Sequence, residues 1–203
     1  MSYPIATTSW RLRSKKLTRT VCRAGHPSRG NGATLRGCPG VTTQNYPDRV
    51  AIYLIRHAKA GSRSAWTESD SLRPLDETGR RQALTIGEEW THGKPAAVFS
   101  SPRLRCVQTV EPLAHCFDMQ VQIEPDMEED TPFERALRVV EEAADGTVFC
   151  SHGDVIPEVI DALIRRGMNV NGMSGALRKG AMFVLHRENG RFVTADYVPP
   201  PGV

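Results

Sequence analysis

Residues 51–60 read AIYLIRHAKA. A short unbroken apolar run of this kind predicts a strand buried on both faces, here over 50–55. It stops abruptly at Arg56 and His57, with Lys59 two places further on. A strand driven through a core and ended in cations is a mount for charged side chains at the rim of a sheet, and the rest of the chain repeats the pattern.

Working outward, further strands are predicted at AAVFS (96–100), MQVQI (119–123), TVFCS (147–151), AMFVLH (181–186) and RFVTA (191–195). Helical segments fall between them near 77–91, 103–117, 132–144 and 155–167. In the first, Ala83, Leu84, Ile86 and Gly87 have the spacing of a packed face. In the second, Leu104, Val107, Val110 and Leu113 mark a buried stripe. Strands alternating with helices predict an α/β fold, a three-layer sandwich with a largely parallel central sheet and helices on both faces. The turn signal RENG (187–190) joins the last two strands as an antiparallel hairpin at one side. There is no internal repeat.

The 203 residues carry a net charge of +3, unevenly spread. Residues 1–49 hold nine Lys or Arg against Asp48 alone, a net of +8, which leaves −5 for 50–203. The first 49 residues are rich in Ser, Thr, Gly and Arg without periodicity, and are expected to form a basic, disordered extension ahead of one domain at 50–203. Four explanations stand for them: a basic arm, a transit-peptide-like leader, a nucleic-acid-binding tail, or a misassigned translation start. No apolar run approaches the roughly 18 residues of a membrane span and no secretory core is visible, so a cytoplasmic protein without membrane contact is expected. Cys22, Cys38, Cys106, Cys116 and Cys150 are odd in number and form no CxxC pair. Reduced thiols are expected, with no disulfide framework and no metal site.

Ligands of open α/β sheets bind beyond the carboxyl ends of the strands. Strand 50–55 ends in Arg56 and His57, strand 96–100 leads to Arg103 and Arg105, and strand 147–151 ends in His152. Two imidazoles among guanidinium forks form a pocket for an anion, and phosphate fits such forks bidentately. No Gly-rich nucleotide loop is present, and no cysteine has an arginine six positions later, which excludes the cysteine-dependent phosphatase pattern. The nucleophile is therefore expected to be histidine, kept neutral by its cationic neighbours.

LIRHAKA (54–60), RPLDETGRRQA (73–83), SSPRLRCVQT (100–109) and CSHGD (150–154), in this order, resemble the histidine phosphatase superfamily, with its phosphoglycerate-mutase-like fold, over essentially 50–203. RHAKA and the compact size look closest to SixA-type phosphohistidine phosphatases. VIPEVI (155–160), RKG (178–180) and GRFVTAD (190–196) are similar to the phosphatase half of Nudix-fused 8-oxo-nucleotide hydrolases; no Nudix box occurs in 1–49. The resemblance implies a nucleophile at His57, phosphate contacts from Arg56 and Arg105, and a donor to the phosphoryl group at His152. Arg105 rather than Arg103 matches because it precedes a small residue and the Gln108–Thr109 pair. Glu129 stands where the family places its proton donor, with Glu128 its neighbour; it also reads as part of a solvated acidic run.

Lys59 and Arg73 flank the nucleophile as candidate substrate contacts, as does Arg63, and solvated loop charge is the alternative for each. Trp66 would stack on a base or cap the core. Lys179 is placed near phosphate by the resemblance alone. Ser151, His152 and Asp154 lie too close along the chain for a hydrolase triad. The expectation is a cofactor-free, metal-independent phosphatase acting through phosphohistidine. Its substrate would be a phosphohistidine-bearing protein or a small phosphorylated metabolite or nucleotide. A mutase is disfavoured because it needs longer enclosing segments. The alternative from another class is a phosphate or phosphoprotein recognition module without turnover.

Overall fold

The structure, a computed structural model, describes residues 51–202. The expectations for the basic extension at 1–49 lie outside the described residues. Seven strands form one sheet: β1 (Ala51–Arg56), β2 (Val98–Ser100), β3 (Val121–Ile123), β4 (Val148–Ser151), β5 (Asn169–Asn171), β6 (Met182–Glu188) and β7 (Arg191–Val198), in the order β3-β2-β4-β1-β6-β7-β5. The four strands from β3 to β1 are mutually parallel, β6 and β7 are antiparallel, and β5 pairs parallel to β7. The hairpin lies where expected but is not the sheet's margin, because β5 continues the sheet beyond it. β5 is only Asn-Val-Asn with both asparagines exposed, too short and polar for alternation to reveal.

β1 is central and feeds two cores by the strand's period of two. Ile52 and Leu54 pack with α3 (Phe133–Glu142) and α4 (Val155–Arg165) on one face. Ala51, Tyr53 and Ile55 pack on the other with residues of α2 (Leu104–Cys116), and Ile86 of α1 (Glu77–Glu88) lies against that cluster. Helices thus cover both faces. Cys106 and Cys150 lie within the second core as small buried residues, and Cys116 is half-buried. Among the described residues no helix is long and apolar enough to cross a membrane.

Two helix faces differ from the expected ones. On α1 the buried residues are Gly79, Gln82, Ala83 and Gly87, while Leu84 is 51% exposed. The glycine decides this, since a Cβ at position 87 would come within 3.0 Å of the Leu113 backbone nitrogen. On α2 the buried face is Arg105, Cys106, Thr109, Val110, Leu113 and Ala114, and Leu104 and Val107 are only half-buried. The helical period of 3.6 rotates the stripe away from every third residue, and two of its members are polar.

Asp76 caps α1 by accepting a hydrogen bond from the Gly79 amide at 2.8 Å. Gly79 itself is pressed against the segment after β1: an added Cβ would overlap the Lys59 carbonyl oxygen and lie 2.7 Å from its carbon. Both sides are backbone, so neither side can rotate away. Gly79→Ala is expected to destabilise the protein by about 3 kcal/mol, lowering Tm by roughly 10 °C. A thermal melt unchanged within about 2 °C would contradict this close approach.

Candidate functional site

Parallel pairing of Arg56 with Ser151, and of Ser100 with Cys150, brings three strand ends level. The residues that follow, His57, Ser101 and His152, therefore emerge together at the carboxyl rim. The His57 amide donates to the Ser151 carbonyl at 2.9 Å, and the Ser101 amide to the Cys150 carbonyl at 2.9 Å. The two imidazole centroids are 5.4 Å apart.

His57 is 4% exposed. Its Nδ1 lies 2.8 Å from the Ala58 carbonyl oxygen, so Nδ1 carries the proton and Nε2 keeps its lone pair. Burial pushes the imidazole down to about 3, against the pull of that carbonyl, with the charges of His152, Arg105 and Arg56 adding to the fall. Neutrality was expected from the cations; here dehydration is the larger cause. The segment after His57 is tied down by the Gln-Thr pair of α2. The Ala58 amide donates to Thr109 Oγ1 at 2.9 Å, and the Leu75 amide to Gln108 Oε1 at 2.9 Å.

Arg105 is completely buried. Its Nη1 donates to both the backbone oxygen and Oδ2 of Asp70, at 3.0 and 3.1 Å. Nη2 lies 2.7 Å from Glu129 Oε1, an ion pair off the hydrogen-bond angle. Arg105 Nε and Arg56 Nε have no hydrogen-bond acceptor among the described residues. Arg56 Nη1 donates to the Leu177 carbonyl, and the guanidinium lies so close to Gly153 that a Cβ there would stand 2.5 Å from its Cζ. Position 153 must be glycine for Arg56 to occupy this place.

His152, also 0% exposed, has one nitrogen anchored and one facing the site. Nε2 pairs with Ser101 Oγ at 2.8 Å and lies 3.4 Å from Cys106 Sγ, while Nδ1 is 3.2 Å from Glu129 Oε1. Burial alone would raise the Glu129 carboxyl, but Arg105 beside it and the charges of His152, Arg105 and Arg63 hold it below the usual range. Glu128 instead pairs with Arg103 at 2.9 Å.

The other candidates are placed further out. Lys59 is exposed and 3.6 Å from Asp76. Arg73 is buried, with Nε on Asp70 Oδ1 and Nη1 on the Gly61 carbonyl, both at 2.8 Å. Lys179 is exposed, and partial burial with the charges of Arg56, Arg73 and Arg105 holds it below its usual value. Trp66 is half-buried and donates from Nε1 to the Ser69 carbonyl at 3.0 Å. Ser151 donates to the Met127 carbonyl at 2.7 Å and takes no part in a triad.

Residues 52–131 match the histidine phosphatase superfamily, branch 1. The chain is 32% identical over 160 residues to an 8-oxo-(d)GTP phosphatase of Mycolicibacterium smegmatis, covering 76% of this chain and 49% of that protein. Residues 52–131 thus carry the signature of the histidine phosphatase superfamily. The chain spans about half the length of that curated relative. Its fold is that of the SixA protein of Agrobacterium tumefaciens, with a TM-score of 0.61 at 21% identity over 75% of this chain and 99% of the other. A mycobacterial glucosyl-3-phosphoglycerate phosphatase shares the fold at a TM-score of 0.55 and 15% identity, over 76% and 99% of the two chains.

Sequence spacing gave no metal set, but in space the fold brings ligand atoms of His57, Glu129 and His152 within 4.8 Å of one another. Such a trio could hold a cation. The guanidinium of Arg105, already on Glu129, and that of Arg56 make the surroundings favour an anion. Asp70 and Ser101 were missed. Asp70 looks like one polar residue in a polar loop, and Ser101 like a register mark in the SSPRLRCVQT stretch.

Proposed function

We propose that residues 50–203 form a phosphatase domain that works through a phosphohistidine on His57 and needs no metal. The observation that carries this is the neutral, buried His57, its Nε2 without a hydrogen-bond partner among the described residues, beside two guanidinium groups whose buried Nε donors lack acceptors among those residues. A phosphoryl group supplies those acceptors. Arg56 and Arg105 then hold the non-bridging oxygens, and Nδ1 of His152 donates to the group as its charge redistributes. Nε2 of His57 attacks phosphorus, the bond to the leaving group breaks, and water later cleaves the N–P bond.

Glu129 is ionised in the resting site, so it serves there as counter-ion to Arg105 and as a neighbour of His152 Nδ1. Its role as proton donor requires that the incoming phosphoryl group take over those two partners. The carboxyl, now beside a second anion, rises toward the proton-carrying form. Lys59 and Lys179 remain rim contacts for an anionic substrate.

The 32% identity to a protein named for nucleotide phosphate hydrolysis favours a nucleotide or other small phosphorylated metabolite over a phosphohistidine protein. Turnover of p-nitrophenyl phosphate, nucleoside phosphates and a phosphohistidine peptide, each measured with EDTA, tests this. Hydrolysis that survives EDTA supports the reading, and the preferred donor names the class. Binding of phosphate without turnover of any donor would instead mark a recognition module.

A further inference from the structure

Asp70 belongs to the short 3-10 turn Asp70–Leu72, in the loop between His57 and α1. Its carboxylate is the hub of four arginines. Oδ1 accepts from Arg73 Nε at 2.8 Å and from Arg63 Nε at 3.2 Å. Oδ2 accepts from Arg63 Nη2 at 3.2 Å and from Arg105 Nη1 at 3.1 Å, with Arg103 Nη1 at 3.9 Å. Arg105 Nη1 also donates to the Asp70 backbone oxygen, so both its protons are spent on this one residue.

That leaves Nε and Nη2, the two parallel donors on one edge of the guanidinium. Nε has no hydrogen-bond acceptor among the described residues and Nη2 faces only Glu129 Oε1, at 2.7 Å; this edge is the one that grips a phosphoryl group with two bonds once Glu129 yields its place. A buried arginine has several rotatable bonds, and a partner on the far nitrogen helps fix which edge is left for a ligand.

We propose that Asp70 is the positioning residue of the phosphate clamp: it holds Nη1 of Arg105 and thereby presents the Nε–Nη2 edge to the phosphoryl group, while fastening the loop after His57 to α2. The inference rests on the phosphatase reading. It predicts an effect on anion binding separate from any effect on folding.

The test is orthovanadate inhibition of p-nitrophenyl phosphate hydrolysis by wild type, Asp70→Asn and Asp70→Glu, each checked by circular dichroism and thermal melting. Asp70→Asn is expected to weaken the vanadate Ki and raise KM by roughly 10- to 100-fold. Asp70→Glu, which keeps the charge but moves it outward by a methylene, should fall between the two. A merely structural Asp70 would move Tm and leave Ki and KM where they were. Folded Asp70→Asn with unchanged Ki and KM overturns the assignment. If Asp70→Asn does not fold, Asp70→Glu decides, and a Ki equal to that of wild type overturns it. Wild type that neither hydrolyses the reporter nor binds vanadate would instead sink the phosphatase reading itself.

Discussion

His57→Ala incubated with a phosphoryl donor is expected to form no acid-labile, alkali-stable phosphoenzyme, whereas wild type does. Turnover should fall by at least about 10³-fold, the scale seen when a covalent nucleophile is removed. Nδ1 of His57 is committed to the Ala58 carbonyl, so Nε2 is the nitrogen that bonds to phosphorus. With the imidazole held down to about 3, the attacking form is fully populated from about pH 4 upward, and the rate of phosphoenzyme formation should show no His57 limb there.

The same shift supplies an internal control. The unfolded imidazole titrates near 6.5 and the folded one near 3, so between these values the unfolded state binds more protons. His57 therefore lowers stability progressively as pH falls from about 6.5 to about 3. His57→Ala removes that penalty and should be less sensitive to mild acid than wild type while being inactive. A phosphoenzyme that persists in the variant would move the nucleophile elsewhere, with His152 the next residue to replace.

Arg105→Lys and Arg105→Ala should separate geometry from charge. Lysine keeps the positive charge between Asp70 and Glu129 but loses the two-bond edge. We expect a folded protein with kcat/KM down by roughly 10²- to 10³-fold. Alanine removes the buried one of the two cations that Asp70 and Glu129 share, leaving Arg63 on both, and is expected to cost about 1–3 kcal/mol. Urea denaturation together with steady-state kinetics reads both effects. Equal activity in wild type and Arg105→Lys would show that charge suffices and that the forked edge is not used.

Much of this arrangement could be read along the chain because it is built from strand ends. The apolar runs at 51–55 and 147–151 mark buried parallel strands, and a parallel pair in register delivers the next residue of each to the same place. His57 and His152 were thus legible from local pattern and one topological rule. Asp70 was not, since its loop, SRSAWTESDSL, has no periodicity and its meaning comes from arginines 3 to 35 residues away in sequence. The α2 stripe was misread for a related reason. Arg105 and Thr109 lie on the buried face, and a pattern that scores only apolar residues assigns such positions to solvent. Leu84 was misplaced although Ala83 and Gly87 of the same expected face are buried, because the close approaches at Gly79 and Gly87 turn that side of α1 inward and leave Leu84 outside it.

The two carboxylates around Arg105 also bear on how the chain reaches its native state. A pocket complementary to a dianion is, before that dianion arrives, a set of cations drawn into a low-dielectric interior, and each uncompensated one costs several kcal/mol. Asp70 and Glu129 supply the missing negative charge from within the chain. On the proposed reading, the polypeptide is expected to complete its folding without a phosphate ion as a template, with its clamp assembled before it meets a substrate.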